Sequence, residues 1–150
     1  MEVTRRKPLG VELVSRGLVT EDDIDKALDY QKDHPNQKIG DIIYTLDLCD
    51  PEILIKNMGE ILGTKGILLT KEKIKVKLTD YISLEMAKIN KVIPFEVVGD
   101  QIKVCFANTM NDNEMESIRI LLQSKGLHMD SYITFESIID KYLKIIEREM

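Results

Sequence analysis

The sequence predicts an α+β fold: an N-terminal four-helix unit made from a tandem helical-hairpin repeat over residues 1–62, then a small mixed or antiparallel sheet with helices on one side over residues 63–150. Three observations predict it. Residues near the N-terminus recur at a constant offset of thirty: Gly10 answers to Gly40, Leu9 to Ile39, Leu13 to Ile43, Leu18 to Leu48, Ile24 to Leu54 and Leu28 to Met58. The stretch "VIPFEVVGDQIKVCFAN" alternates around Gly99-Asp100, as two strands joined by a tight turn do. Around that hairpin, extended segments and helical patterns follow one another in the order strand, helix, hairpin, helix, strand, helix.

Each copy of the repeat reads as a short helix, a turn and a second helix. In the first copy Leu9 and Leu13 share a face, Gly17 suits the left-handed residue that ends a helix, and Thr20 with Asp23 has the form of a capping box. Ile24, Ala27, Leu28 and Gln31 then form the expected inner stripe. "KDHPNQ" is polar, carries Pro35 and reads as a loop. In the second copy Ile39, Ile43 and Leu46 form the first stripe, Asp50-Pro51 supplies an N-cap followed by proline at the first helical position, and Leu54, Met58 and Ile61 form the second stripe. One helical hairpin cannot bury its stripe alone, and two stacked copies can.

Gly63 to Gly66 mark a change of pattern. "ILLT" and "KIKVKL" are expected as extended segments, the latter as a half-exposed strand. "SLEMAKIN" from Ser83 is a short helix, and Asn111 with Glu114 caps "EMESIRILLQSKG", which closes at Gly126. "SYITF" is a strand, and Thr134 is expected to open the last helix, "ESIIDKYLKIIERE".

Composition excludes several classes of function. The 150 residues are 43% hydrophobic and 31% charged, an ordinary globular balance, and no apolar run is long enough for a membrane span or signal peptide. A cytoplasmic protein without direct membrane insertion is expected. The net charge of -5 argues against a nucleic-acid partner, apart from a local basic cluster, Arg5 to Lys7, that reads as a solvated arm or a phosphate-facing one. Cys49 and Cys105 lie in apolar surroundings, as small buried thiols rather than a disulfide. With His34 and His128 the only imidazoles, no zinc spacing and no cysteine-histidine nucleophile pattern exists, so no metal is expected. "GEILGTK", Gly59 to Lys65, lacks the spacing of a phosphate-wrapping loop, and the carboxylates of "EDDIDKALD" fill a first helical turn, where they complement the helix dipole. No constellation points to catalysis by this chain alone.

The repeat also carries a resemblance. "PLGVELVSRGLVTEDDIDKALDYQ" and its degenerate second copy resemble the tandem motif of the MshEN domain family, the N-terminal domain of type II secretion and type IV pilus assembly ATPases. "KVIPFEVVGDQIKVCFANTMNDNEMESIRILLQSKG" resembles the α+β part of the same domain. The resemblance implies a regulatory and docking domain with cyclic di-GMP as a possible ligand and no other cofactor. It implies an ATPase domain in cis in a longer gene, and inner-membrane platform or cytoplasmic adaptor proteins as partners, which would bring it to the membrane only peripherally. Carried over by position, the implied ligand residues are Leu9, Gly10, Leu13, Leu18, Ile24, Leu28 and Gln31 in the first copy and Lys38, Ile39, Gly40, Leu54 and Met58 in the second, with Arg6, Asp41 and Asn108 beside them.

Such a ligand calls for guanidinium groups to stack on guanine, amides and carboxylates to read base edges, and aliphatic side chains to line the ring. The departures from the motif fall on those groups. Pro8 and Lys38 stand where each copy opens with arginine, Ile61 where the second closes with glutamine, and Asn108 where the hairpin ends in a carboxylate. Each lost stack costs about 0.5–2 kcal/mol. The alternative reading is a stand-alone protein-interaction adaptor that has lost nucleotide binding.

Overall fold

A computed structural model describes residues 8–108 and 111–150. The expected repeat is present down to its hydrogen bonds. Helices α1 (Leu9–Ser15), α2 (Glu21–Asp33), α3 (Ile39–Thr45) and α4 (Pro51–Ile61) form two hairpins. At the end of α1 the Leu18 N–H donates to the Leu13 carbonyl at 3.0 Å and Gly17 to Val14 at 2.9 Å; at the end of α3, thirty residues on, Leu48 donates to Ile43 at 3.1 Å and Asp47 to Tyr44 at 3.1 Å. Both closures are the same two-bond helix stop. It requires a positive φ, which Gly17 meets at 74° and Asp47 at 57°. The second helices open alike: Thr20 accepts from the Asp23 N–H in a complete capping box, and Asp50 accepts from the Ile53 N–H ahead of Pro51. Since a side chain bears a steric cost at positive φ that glycine escapes, Asp47→Gly is expected to raise stability by about 0.5–1 kcal/mol in a urea titration.

The inner stripes differ between copies. Leu13, Ala27, Ile42, Ile43, Leu54, Ile55 and Met58 are fully buried, but Leu28 is 46% exposed, against the expectation that it lines the core. The reason lies opposite the helix-opening glycines. In the second copy Met58 occupies the space that a Cβ on Gly40 would take, 2.4 Å from the sulfur-linked methyl; in the first copy the space beside Gly10 is taken by Ile24, at 3.3 Å, so Leu28 is left outside. The Arg16 guanidinium ties the copies together, donating to Asn57 at 2.8 Å and Glu60 at 2.9 Å on α4.

The second half contains α5 (Leu84–Asn90), β1 (Val92–Val98), β2 (Gln101–Ala107), α6 (Asp112–Gln123), β3 (His128–Thr134) and α7 (Glu136–Arg148). The strand order is β1-β2-β3. β1 and β2 pair antiparallel through the expected turn, with Gly99 at φ 63°, and β2 and β3 pair parallel in unbroken register from Gln101 with His128 to Ala107 with Thr134. The sheet is therefore mixed, since α6 carries the chain back across it. Val104 to Ala107 are buried whichever face they point to. On the face shared by Cys105 and its register partner Tyr132, the Lys65 ammonium stands 4.3 Å from the Tyr132 ring and Phe95 meets that ring edge-on, so the segment after α4 lies against this side.

Three local expectations are corrected. "KIKVKL" is not a strand: its exposure alternates, but short 3-10 turns at Lys71–Lys73 and Leu78–Asp80 bracket it, and among the described residues its one backbone bond to the sheet is from the Lys75 N–H to the Phe95 carbonyl at 2.7 Å. Alternation reports a half-covered face, and a strand also needs a neighbour presenting a free ladder. "ILLT" is likewise irregular beyond a single bridge between Gly66 and Ile133, where the Ile67 N–H donates to the Ile133 carbonyl and the Ile133 N–H to Lys65. Thr134 does not open α7; it ends β3, fully buried, and the N-cap is Phe135, which has no side-chain acceptor.

The hairpins and the sheet share one hydrophobic core, whose largest fully buried side chains are Phe106 and Phe135, with Tyr44 of α3 stacked on Phe135 at 4.1 Å. The two cysteines are free thiols; Cys105 is buried and its thiol is pushed up strongly by desolvation, while Cys49 is only half-buried.

Candidate functional site

Most of the predicted site residues fall in three places, and the exposed Leu28 and Lys38 and the half-buried Gln31 lie outside them. Leu13, Leu54 and Met58 are fully buried in the core, where they support the helices and meet no solvent. Leu9, Leu18 and Ile39 are half-buried against the same core. Leu9 also reaches the second copy, since its Cδ2 lies 3.2 Å from where a Gly40 Cβ would stand. Arg6 lies outside the described residues, as do the rest of the basic cluster and Thr109.

The second place is a cavity of about 440 Å³ against the first copy, lined by Gly10, Val11, Val14, Ser15, Glu21, Ile24 and Asp25. It brings Gly10 and Ile24 together, beside the exposed Val11. Its charged members are both carboxylates. That rim opposes an anion, so a phosphate gains nothing here. Gln31 lies elsewhere: its amide donates to the Gln37 carbonyl at 2.9 Å and fastens the loop that leads to Lys38. Lys38 is exposed at the N-cap of α3, and among the described residues no ion pair engages it.

The third place unites Asp41 and Asn108, which are far apart in sequence. Asp41 is 7% exposed. The Glu136 N–H at the start of α7 donates to its Oδ1 at 2.9 Å, while the Asn108 side chain also stabilises the charged form. Asn108 follows β2, and its N–H donates to the Thr134 carbonyl at the end of β3 at 2.9 Å. The cluster therefore sits beyond the C-terminal ends of two parallel strands, where ordered side chains and chain reversal make sites in other α/β sheets. Thr134 adjoins it through that carbonyl and was not foreseen, because its hydroxyl read as a helix cap.

This cluster is short of donors. Asp41 Oδ2, Asn108 Oδ1 and Thr134 Oγ1 are all buried without a protein hydrogen-bond partner. Burial pushes the Asp41 carboxyl up to about 6; the Glu136 N–H and the Asn108 side chain pull it down, and the Glu136 and Asp140 charges add to the rise. Lys91, the left-handed residue that closes α5 at φ 49°, holds those two acids in turn, 3.7 Å from Glu136 and in a closer ion pair with Asp140. Its ammonium is thus engaged by α7. Buried acceptors without donors carry a real desolvation cost, and they suit a ligand that presents N–H groups.

A larger groove of about 630 Å³ lies between the Lys71–Thr79 segment and the end of α7, and none of the predicted site residues lines it. Among the described residues no acidic, histidine or cysteine cluster is placed to hold a metal ion, and no helix is long and apolar enough to cross a membrane.

No protein-family model and no curated protein matches the chain. Solved structures do match it in fold. A structure of MshE with cdg superposes with a TM-score of 0.65 at 19% identity, covering 94% of this chain and 99% of that one. The N-terminal domain of XpsE superposes with a TM-score of 0.55 at 17% identity, covering 96% and 97%. This chain has the fold of those domains over nearly its whole length.

Proposed function

We propose that this chain is a regulatory and docking domain of a secretion or pilus assembly ATPase, and that it binds cyclic di-GMP where the tandem repeat meets the end of the sheet. The observation that carries this reading is the pairing of Asp41 with Asn108, two buried groups with free acceptor oxygens, on a fold shared with MshE solved with cdg. A guanine presents N–H donors along one edge, which is the chemistry that Asp41 Oδ2 and Asn108 Oδ1 lack. Lys38 contributes charge toward a phosphate, without the planar stacking that an arginine would add. The chain's own role is to bind and to transmit; ATP hydrolysis belongs to a domain in cis, and the partners are proteins of the cytoplasmic face of the inner membrane. Both acceptor atoms are closed to solvent here, so ligand entry requires this end of the sheet to open.

Titration calorimetry with cyclic di-GMP at tens of micromolar tests the reading. Heat that saturates at one ligand per chain, or per pair of chains, supports it. Gln31→Ala is expected to weaken binding about fivefold, because it unfastens the loop that presents Lys38 at the loss of one hydrogen bond; equal binding by both proteins removes Gln31 from the site. No heat at all would sink nucleotide sensing and leave the adaptor reading in its place.

A further inference from the structure

The start of α7 has an unusual dependence on a distant residue. Its N-cap, Phe135, supplies no side-chain acceptor, and the first-turn N–H of Glu136 is received by Asp41, 95 positions earlier in the chain. Asp41 is therefore the cap of α7, although it belongs to α3 of the tandem repeat. A cap of this kind is strong while the acceptor is charged, since charge-assisted hydrogen bonds are roughly twice as strong as neutral ones. It weakens when the charge is shared with something else.

The other oxygen of the same carboxylate, Oδ2, is the unpaired one. Whatever occupies Oδ2 draws charge from the bond that Oδ1 makes to α7. Deepening the functional reading above, and resting on it for the ligand, we propose that Asp41 is the positioning residue that couples the tandem repeat to α7: a proton or a ligand N–H arriving at Oδ2 loosens the Glu136 bond, and α7 shifts in response. The helix is a rod about 20 Å long. Its far end carries Tyr142, Ile145 and Ile146, which wall the groove of about 630 Å³. A shift at the first turn is felt there because a helix moves as a unit.

The surroundings favour a poised joint over a permanent one. Facing Asp41 from α7 are the carboxylates of Glu136 and Asp140, both of which oppose its charge. Facing them from the junction of α5 and β1 is Lys91, which pairs with both and keeps α7 tethered to that junction while its first turn shifts. From the ends of β2 and β3 come Asn108 and Thr134, which are uncharged and leave acceptors open. The carboxyl, with its raised value of about 6, changes charge within reach of neutral pH.

Amide NMR of the whole chain from pH 4.5 to 8 tests the coupling. The Glu136 amide proton is expected to move downfield as pH rises, with a midpoint near 6, and the amides of Tyr142 to Ile146 are expected to move with the same midpoint. Asp140→Asn should keep the transition, displaced slightly to lower pH, and Asp41→Asn should abolish it. A transition that survives Asp41→Asn, or that vanishes in Asp140→Asn, or one at Glu136 with no companion at Tyr142 to Ile146, overturns the proposal. Cyclic di-GMP at pH 7.5 separates the two inferences. Calorimetric binding that leaves the Glu136 amide unmoved defeats the coupling, whereas absent binding with an intact pH transition defeats nucleotide sensing and leaves the coupling standing.

Discussion

Asp41→Asn is expected to make the protein more stable at pH 7.5 by about 2 kcal/mol, and by much less near pH 4. The native Asp41 carboxyl titrates at about 6, against 3.8 for the unperturbed group. Across that interval the folded state holds a proton that the unfolded chain has released, so this residue makes stability fall as pH rises from about 4 to 6 and stay level above it. Two pH units of such displacement are worth about 3 kcal/mol at neutral pH. The asparagine keeps an oxygen to receive the Glu136 N–H and removes the charge that burial opposes. Urea unfolding of both proteins at pH 4, 5 and 7.5 measures the difference. A variant less stable at every pH would show that the native charge is already satisfied. The carboxylates of Asp23, Glu72 and Glu96, held below their ordinary values by hydrogen bonds to Thr20, the Glu72 backbone and Lys103 respectively, work in the opposite sense and act only at lower pH, so the comparison between proteins isolates Asp41. A residue that costs stability at neutral pH is the kind of compromise that function maintains.

Gly66→Ala should cost about 3 kcal/mol or more, the upper end of what overpacking does. A Cβ there would stand 1.8 Å from the Ile55 carbonyl oxygen of α4. Neither side can yield. Gly66 is bridged to Ile133, and the bonds from Ile67 to Ile133 and from Ile133 to Lys65 pin the chain on both sides of it. Gly59 completes the same close approach, its own Cβ position lying 2.3 Å from the Gly66 nitrogen. Gly40→Ala gives the contrast. Its Cβ would meet the end of Met58, a flexible side chain that can turn aside, so a cost of about 1 kcal/mol is expected. Denaturant midpoints order the two variants, and a Gly66→Ala protein within 1 kcal/mol of wild type would mean that α4 and the sheet are not locked at this point.

The repeat was legible because it is written in local chemistry. Thr20 with Asp23, Asp50 with Pro51, Gly17, and Asn111 with Glu114 each act within a few residues of themselves, and each caps or stops a helix where the sequence places it. The Gly99 hairpin is local in the same sense. "KIKVKL" failed because period-two exposure does not say whether a ladder partner exists. Leu28 failed because its burial depends on what fills the space beside Gly10, and there Ile24 takes the place that Met58 holds in the other copy.

For the site, position beside a motif that the chain resembles marked Asp41 and Asn108 as groups able to meet a nucleotide. That they meet each other, together with Thr134 and the start of α7, follows from the parallel register of β2 and β3 and from the packing of Tyr44 on Phe135. Sequence by itself determined the repeat, its helix caps and stops, the hairpin and most of the apolar stripes, since capping, turn geometry and periodicity act over a few residues. Only the tertiary structure decided the mixed sheet, the glycine contact between Gly59 and Gly66, and the buried carboxylate that caps a helix 95 positions away. Those depend on which distant segments share the core, and on how far water is excluded where they meet.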